Sequence, residues 1–300
     1  MKMNAFLVGL FKKMMVKIDK GVLEGYEKKD DPHFHYDHPY VENPEERQHF
    51  DLYCGEEGKR KNVLLIDIHG GAYVHGWRKN NYSFAQVFRE AGYDVVCADY
   101  RFVDPKAGTD VISEIQDLVA MLNEIKSKEK ELGIEKDSWA ITGDSAGGHF
   151  ALFLSEVLSN QELREKWGIL PEVPAPKCVL LNCPVFDLHA SVYEGLTKSG
   201  RKRMFGKIIL EEGVVESIDP REHLDSLKCP VFVSSCYNDF LKANYFQLVD
   251  DCQKKGKECE YLFLETKDKE VIHVHNVNKL QLPESKQVNE AMIAFLDKKA

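Results

Sequence analysis

The chain has no apolar run near the length of a membrane span, no excess of positive charge, no CxxC pair and no internal repeat. Each absence removes a class of protein. A bilayer-crossing helix needs about twenty consecutive apolar residues, so no spanning segment and no stable membrane anchoring are expected. Forty basic residues against 49 acidic ones leave a formal net charge of -9 over 300 residues. That balance disfavours nucleic acid or an anionic membrane as a partner, since both call for a basic face. The one dense basic run, Lys198-Ser199-Gly200-Arg201-Lys202-Arg203, is expected as a solvated helix end. The eight cysteines (54, 97, 178, 183, 229, 236, 252 and 259) stand singly, several inside apolar runs. As small buried hydrophobes they suit a reducing compartment, so a cytoplasmic location is expected. The N-terminal apolar run 5–11 is short, broken by Gly9 and followed by Lys12-Lys13. It lacks the small-residue cleavage site of a secretory signal, and an amphipathic helix packed on the body is expected.

What is present is ordinary globular composition, 43% hydrophobic and 30% charged, arranged in a regular alternation. Near-continuous apolar runs at 63–69, 94–99, 138–143, 177–183, 230–236 and 260–265 read as strands covered on both faces. Helical patterns lie between and after them at 82–91, 111–132, 146–158, 241–255 and 285–298. The alternation predicts a single α/β domain over 1–300, with a doubly wound, mostly parallel sheet. The earlier stretch HFDLYC (49–54) alternates and reads as an antiparallel edge strand. Two regions escape the pattern, 1–45 and 186–227. The second is too long for a simple connection.

The segment ITGDSAGGHFALFL (141–154) carries the strongest chemical signal. An apolar strand must reverse into a helix through Gly143-Asp144-Ser145-Ala146-Gly147. Such a turn is crowded, glycines relieve the crowding, and Ser145 is left standing at the head of the helix. A serine hydroxyl needs a base, a group to orient that base, and donors for the oxyanion that develops. IDIHGGAYVHG (66–76) offers the donors where a loop leaves a strand. The N–H groups of Gly70 and Gly71, with that of Ala146, are expected to hold the oxyanion, while His69 braces the loop. VIHVHNV (271–277) offers two candidate bases two positions apart, His273 and His275, and spacing alone does not choose between them. DPHFHYDHPY (31–40) contains His33, His35, Asp37 and His38. Its H-x-H-x-D-H pattern could ligate zinc, but the charged stretch before it and the lack of later ligands favour a histidine-rich loop, and no metal is expected.

His69-Gly70-Gly71-Ala72 followed by Gly143-Asp144-Ser145-Ala146-Gly147-Gly148 resembles the hormone-sensitive-lipase-like branch of the α/β-hydrolases. The resemblance runs from about Phe50 to the C-terminal helix. It implies a serine carboxylesterase, free of metal or organic cofactor, acting on a small-molecule ester, with a cap built from 1–45 and 186–227. Alanine replaces the family's third glycine at position 72, which is expected to cost little because its N–H remains. In this fold's chain order the acid follows the serine, and Asp239 (Asn238-Asp239-Phe240-Leu241) matches the acid motif, with Phe240 where a proline is usual. Asp187, one strand earlier, is the rival. HVHN at 273–276 is similar to the HVFN of acetylesterase-like relatives, which implies His273 as base and short acyl groups, such as acetyl esters of sugars or xylan fragments. His275 then falls at the aromatic position, and with Ala72, Tyr73 and Asp144 it is expected to line the substrate pocket. A prolyl-oligopeptidase-like peptidase is the weaker hydrolase reading, for want of room for a propeller. A non-catalytic ligand receptor on the same fold remains the reading from another class, and a homodimer is compatible with the sequence.

Overall fold

The computed structural model describes residues 2–24, 26 and 28–300, with side chains for all of these except 18–24. The strands are β1 (Phe34–Pro39), β2 (His49–Tyr53), β3 (Val63–Ile68), β4 (Asp94–Ala98), β5 (Ser138–Asp144), β6 (Cys178–Asn182), β7 (Val231–Cys236) and β8 (Cys259–Leu264). They form one sheet in the order β1-β2-β4-β3-β5-β6-β7-β8. The β1–β2 and β2–β4 pairs are antiparallel and all the others parallel. The predicted doubly wound, mostly parallel sheet is the observed one.

The helices are α1 (Ala5–Glu24), α2 (Tyr82–Glu90), α3 (Val111–Lys128), α4 (Ala146–Ser159), α5 (Gln161–Trp167), α6 (Leu188–Tyr193), α7 (Lys198–Phe205), α8 (Val214–Ile218), α9 (Pro220–His223), α10 (Lys242–Lys254), α11 (His275–Asn278) and α12 (Pro283–Lys299). Successive strand residues alternate between two cores, as the pleat requires. Leu64, Ile66, Val96, Ile141 and Val179 face α3 and α4, contributed by Leu118, Leu122, Phe150 and Leu154. Leu65, Val95, Ala140 and Leu180 face α2 and α12, contributed by Phe84, Phe88, Met292 and Phe295. With both faces covered, every residue of β3, β4 and β6 is buried, which is why their sequences are mostly apolar, with Asp67, Asp94 and Asn182 as the polar exceptions. Element ends obey local rules. Asp110 and Ser113 close a capping box on α3, and α12 opens on Pro283 in its first turn.

Two expectations about the N-terminal third need correction. β2 is not the edge strand, because β1 pairs outside it. β1 is the histidine-rich segment, expected as a loop. Phe34 and Tyr36 pack edge-on against Tyr53 at 5.3 and 6.0 Å between ring centroids, so an aromatic cluster rather than an apolar run pins this strand. Asp37 stands at φ 57 within a register shift between His35 and His38. Consequently the 1–45 region divides, with α1 outside the sheet and 34–39 within it. The 186–227 region is a chain of short helices, α6 to α9. It meets the N-terminus through Met3 N–H to the Gly195 carbonyl and Thr197 N–H to the Met3 carbonyl, both 2.9 Å. The basic run is the body of α7. Among the described residues no helix is long and apolar enough to cross a membrane, and all eight cysteines are free, seven of them buried.

Candidate active site

Ser145 sits at the carboxyl end of β5, near the middle of the sheet, where the chain turns straight into α4. Its backbone is at φ 55, ψ -117, a region L-residues avoid at about 1–3 kcal/mol. The turn is held from three sides. Ser145 N–H donates to the Asn182 carbonyl at 2.9 Å, while its carbonyl accepts from Val185 N–H at 3.0 Å and His149 N–H at 3.2 Å. A Cβ on Gly147 would lie 2.0 Å from the Ile68 carbonyl oxygen, so only glycine lets α4 approach β3 this closely.

His273 and Asp239 meet the serine there. Imidazole Nε2 is 3.0 Å from Ser145 Oγ, and Nδ1 is 2.6 Å from Asp239 Oδ1. Asp239 follows β7 and is 1% exposed. Its Oδ2 accepts from Ser235 Oγ at 2.6 Å and its Oδ1 from Leu241 N–H at 2.8 Å. Burial pushes its carboxyl up, yet the bonds from His273, Ser235 and Leu241 outweigh that and hold it below the usual carboxylate range. The rival Asp187 lies elsewhere. It caps α6 through Ala190 N–H at 2.7 Å and pairs with Arg221 at 3.0 Å.

His275 goes the other way. It is 2% exposed, its Nδ1 shares a 2.9 Å hydrogen bond with Ser285 Oγ on α12, and burial pushes its imidazole down to about 4. The backbone is not extended here. Val274 adopts φ 51 and α11 begins at His275, so the two rings diverge instead of sharing a face. His275 is therefore part of the core and not of a substrate pocket.

The loop after β3 shows a similar redistribution. Gly70 N–H donates to Asp144 Oδ1 at 3.0 Å, so that N–H is already committed. Gly71 N–H has no acceptor among the described residues. Ala146, as the first residue of α4, has no intrahelical partner for its N–H, and the positive end of the helix dipole lies there. Gly71 adopts φ 136, and a Cβ on it would meet the His75 carbonyl oxygen at 1.8 Å. Ala72 follows at φ 48, so alanine is costlier here than expected, by about 1–2 kcal/mol for a left-handed backbone. Tyr73 and Asp144 are not pocket residues. Tyr73 is 3% exposed, with its hydroxyl 3.1 Å from His149 Nδ1 and its ring packed on Phe150 and Phe205. Asp144 is buried, and its Oδ1 also accepts from Asn81 Nδ2 at 3.0 Å. His69 braces the loop as expected, its ring stacked on Tyr100 at 4.5 Å.

Three residues lie near the site to which the sequence assigned no role there. Asn81 joins Asp144 to Asp67, donating to both at 3.0 Å, and nothing in a lone asparagine before a helix advertised this. Phe240 is 76% exposed and lays its ring 4.3 Å from that of His273; its replacement of the usual proline was the available signal. Cys183, at φ 47, accepts Val274 N–H on its sulfur at 3.4 Å. Cys183, Asp239 and His273 also form the one group of three potential metal ligands found among the described residues, their ligand atoms within 4.8 Å of one another. In the histidine-rich segment, Asp37 is instead committed to ion pairs with Lys28 and Arg78.

The architecture is that of the α/β-hydrolase esterases. A family model described as BD-FAE matches residues 50–244, and the chain belongs to that family. Esterase B from Lactobacillus rhamnosis (HN001) superposes with a TM-score of 0.84 at 23% identity, over 97% of this chain and 93% of that one. A bacterial heroin esterase gives 0.70 at 18% identity, over 98% and 92%. In sequence, the ethyl acetate hydrolase of Pseudomonas putida is 28% identical over 130 residues. That match spans 42% of this chain and 36% of the relative.

Proposed function

We propose that this chain hydrolyses carboxylic esters by acyl transfer through Ser145, and that its substrates carry short acyl groups. The observation that carries the reading is the relay Asp239 Oδ1, His273 and Ser145 Oγ, spaced at 2.6 and 3.0 Å behind a strained turn. His273 Nε2 takes the Ser145 proton as Oγ attacks the acyl carbon. The carbonyl oxygen gains the negative charge, and the N–H groups of Gly71 and Ala146 receive it. The imidazolium, held in its tautomer by Asp239, returns the proton to the departing alkoxide oxygen, leaving an acyl-serine and a free alcohol. Water then loses a proton to His273, attacks the acyl carbon and releases the acid as Oγ regains the proton.

Short acyl groups are supported by the ethyl acetate hydrolase likeness and by the HVHN segment, and acetyl esters of sugars or xylan fragments are the proposed natural class. The chain forms one domain in this reading, with α1 and 186–227 as its cap. The Phe11 ring lies edge-on to His75 at 5.9 Å, which sets α1 over the loop that bears Gly71. The test is labelling by a fluorophosphonate together with turnover of p-nitrophenyl acetate and longer p-nitrophenyl esters. Ser145→Ala should lose both label and turnover, by about 10⁴-fold or more for the latter, at an unchanged melting temperature. Retained turnover, or better turnover of long acyl chains than of acetate, would overturn the proposal.

A further inference from the structure

The net charge of -9 conceals an uneven distribution. On α1 the outward apolar residues are Phe6, Leu10, Met14 and Val16, at 76, 56, 54 and 41% exposure. They account for four of the ten exposed large hydrophobics among the described residues, within eleven positions of one helix. At 100° per residue Phe6, Leu10 and Met14 follow one another along one stripe. Beside it a shallow groove of about 720 Å³ runs between α1 and α7, floored by Phe6, Leu10 and Val16 and rimmed by Lys12, Lys13 and Arg203, with no carboxylate in its lining. Among the described residues, none of these three cations has an ion pair. Burial, and then Arg203 close by, push the Lys12 ammonium below its ordinary range although Asp104 and Glu114 pull the other way. The groove lining thus carries three cations and no anion.

We infer that the α1–α7 face docks reversibly on an anionic lipid surface, the apolar stripe entering the headgroup boundary and Lys12, Lys13 and Arg203 pairing with lipid phosphates. An apolar stripe with cations beside it is the build of an interfacial helix, and each cation near an anionic surface adds an attraction. A second copy of the chain fits less well, because a two-fold contact would set these three cations against themselves. The whole-chain balance pointed away from anionic membranes, but binding is decided by the face presented, and here that face is cationic. The inference goes beyond ester hydrolysis and does not depend on it.

Flotation with vesicles tests it without any turnover. The protein should float with phosphatidylcholine vesicles containing about a third phosphatidylglycerol at low salt, and not with phosphatidylcholine alone or at high salt. K13E/R203E should weaken partition by about 25-fold or more, at roughly fivefold per rim cation lost. F6S/L10S should weaken it by about tenfold or more through loss of apolar burial. Both variants should keep the wild-type melting temperature, which separates lost docking from lost folding. Absence of flotation, flotation unchanged by either variant, or a concentration-dependent dimer dissolved by F6S/L10S would each overturn the inference, the last making this face a contact between copies.

Discussion

At the scale of single residues, the two histidines of VIHVHNV share a strand-like sequence but not a surrounding. His273 lies between Ser145 and Asp239, whereas His275 is sealed against Ser285. His273→Ala should therefore remove about 10⁴-fold of turnover. His275→Ala should instead cost about 1–3 kcal/mol of stability, through a cavity and an orphaned hydroxyl, with turnover reduced only in part. Turnover of the paired variants, with their urea midpoints, decides between the roles, and the reverse pattern would reassign the base. Burial also gives His275 and His149 imidazoles pushed down to about 4. Unfolded, an imidazole titrates near 6.5. Between about 6.5 and 4 the unfolded chain therefore binds more protons than the folded one, and stability falls as pH drops through that window. Urea midpoints measured from neutral pH to pH 4 should show the decline, and it should be shallower in His275→Gln. An equal slope in that variant would remove His275 as a cause.

At the scale of elements, the serine turn and the glycine loop are fitted to each other by close backbone approach and by one buried carboxylate. Asp144 Oδ1 accepts from both Gly70 N–H and Asn81 Nδ2, so buried Asn81 is joined to the glycine loop through this carboxylate. Asn81→Ala should lower kcat by about tenfold with KM little changed, since in the proposed mechanism the loop's donors serve the charge that develops in the transition state and not the bound ester. A change in KM alone would place Asn81 in binding instead. The turn itself was legible, because an apolar strand, a serine between two glycines and an apolar helix leave few ways to fold. The pocket residues were not. Tyr73 and Asp144 adjoin the loop and the serine in sequence, but side chains leave a tight turn in diverging directions, and theirs turn into the core.

At the scale of the whole molecule, one buried cation ties the antiparallel margin of the sheet to its parallel centre. Arg78, 2% exposed, pairs with Asp37 in β1, with Asp51 in β2 at 2.9 Å, and with Asp99 just after β4. Arg78→Ala would leave buried Asp51 and Asp99 without this counter-charge and should cost about 3–5 kcal/mol. A urea midpoint close to wild type would show that the margin is held by its aromatic cluster alone. Charge is distributed unevenly at this scale too, an acidic whole carrying a cationic α1–α7 face.

The sequence by itself determined the parallel centre of the sheet, because strands buried on both faces are predominantly apolar and helices beside them must be amphipathic. It also determined the turn at Ser145 and the loop at Gly70 and Gly71, because close backbone approach excludes every residue but glycine. Only the tertiary structure decided the rest. β1 is a strand because Tyr53 and Arg78, distant in sequence, give its polar and aromatic residues partners. Val274 at φ 51 sends His273 to the serine and His275 to the core, and Asp144 takes the Gly70 N–H through a contact 74 positions along the chain. These outcomes depend on pairings between remote residues, which local pattern and propensity do not encode.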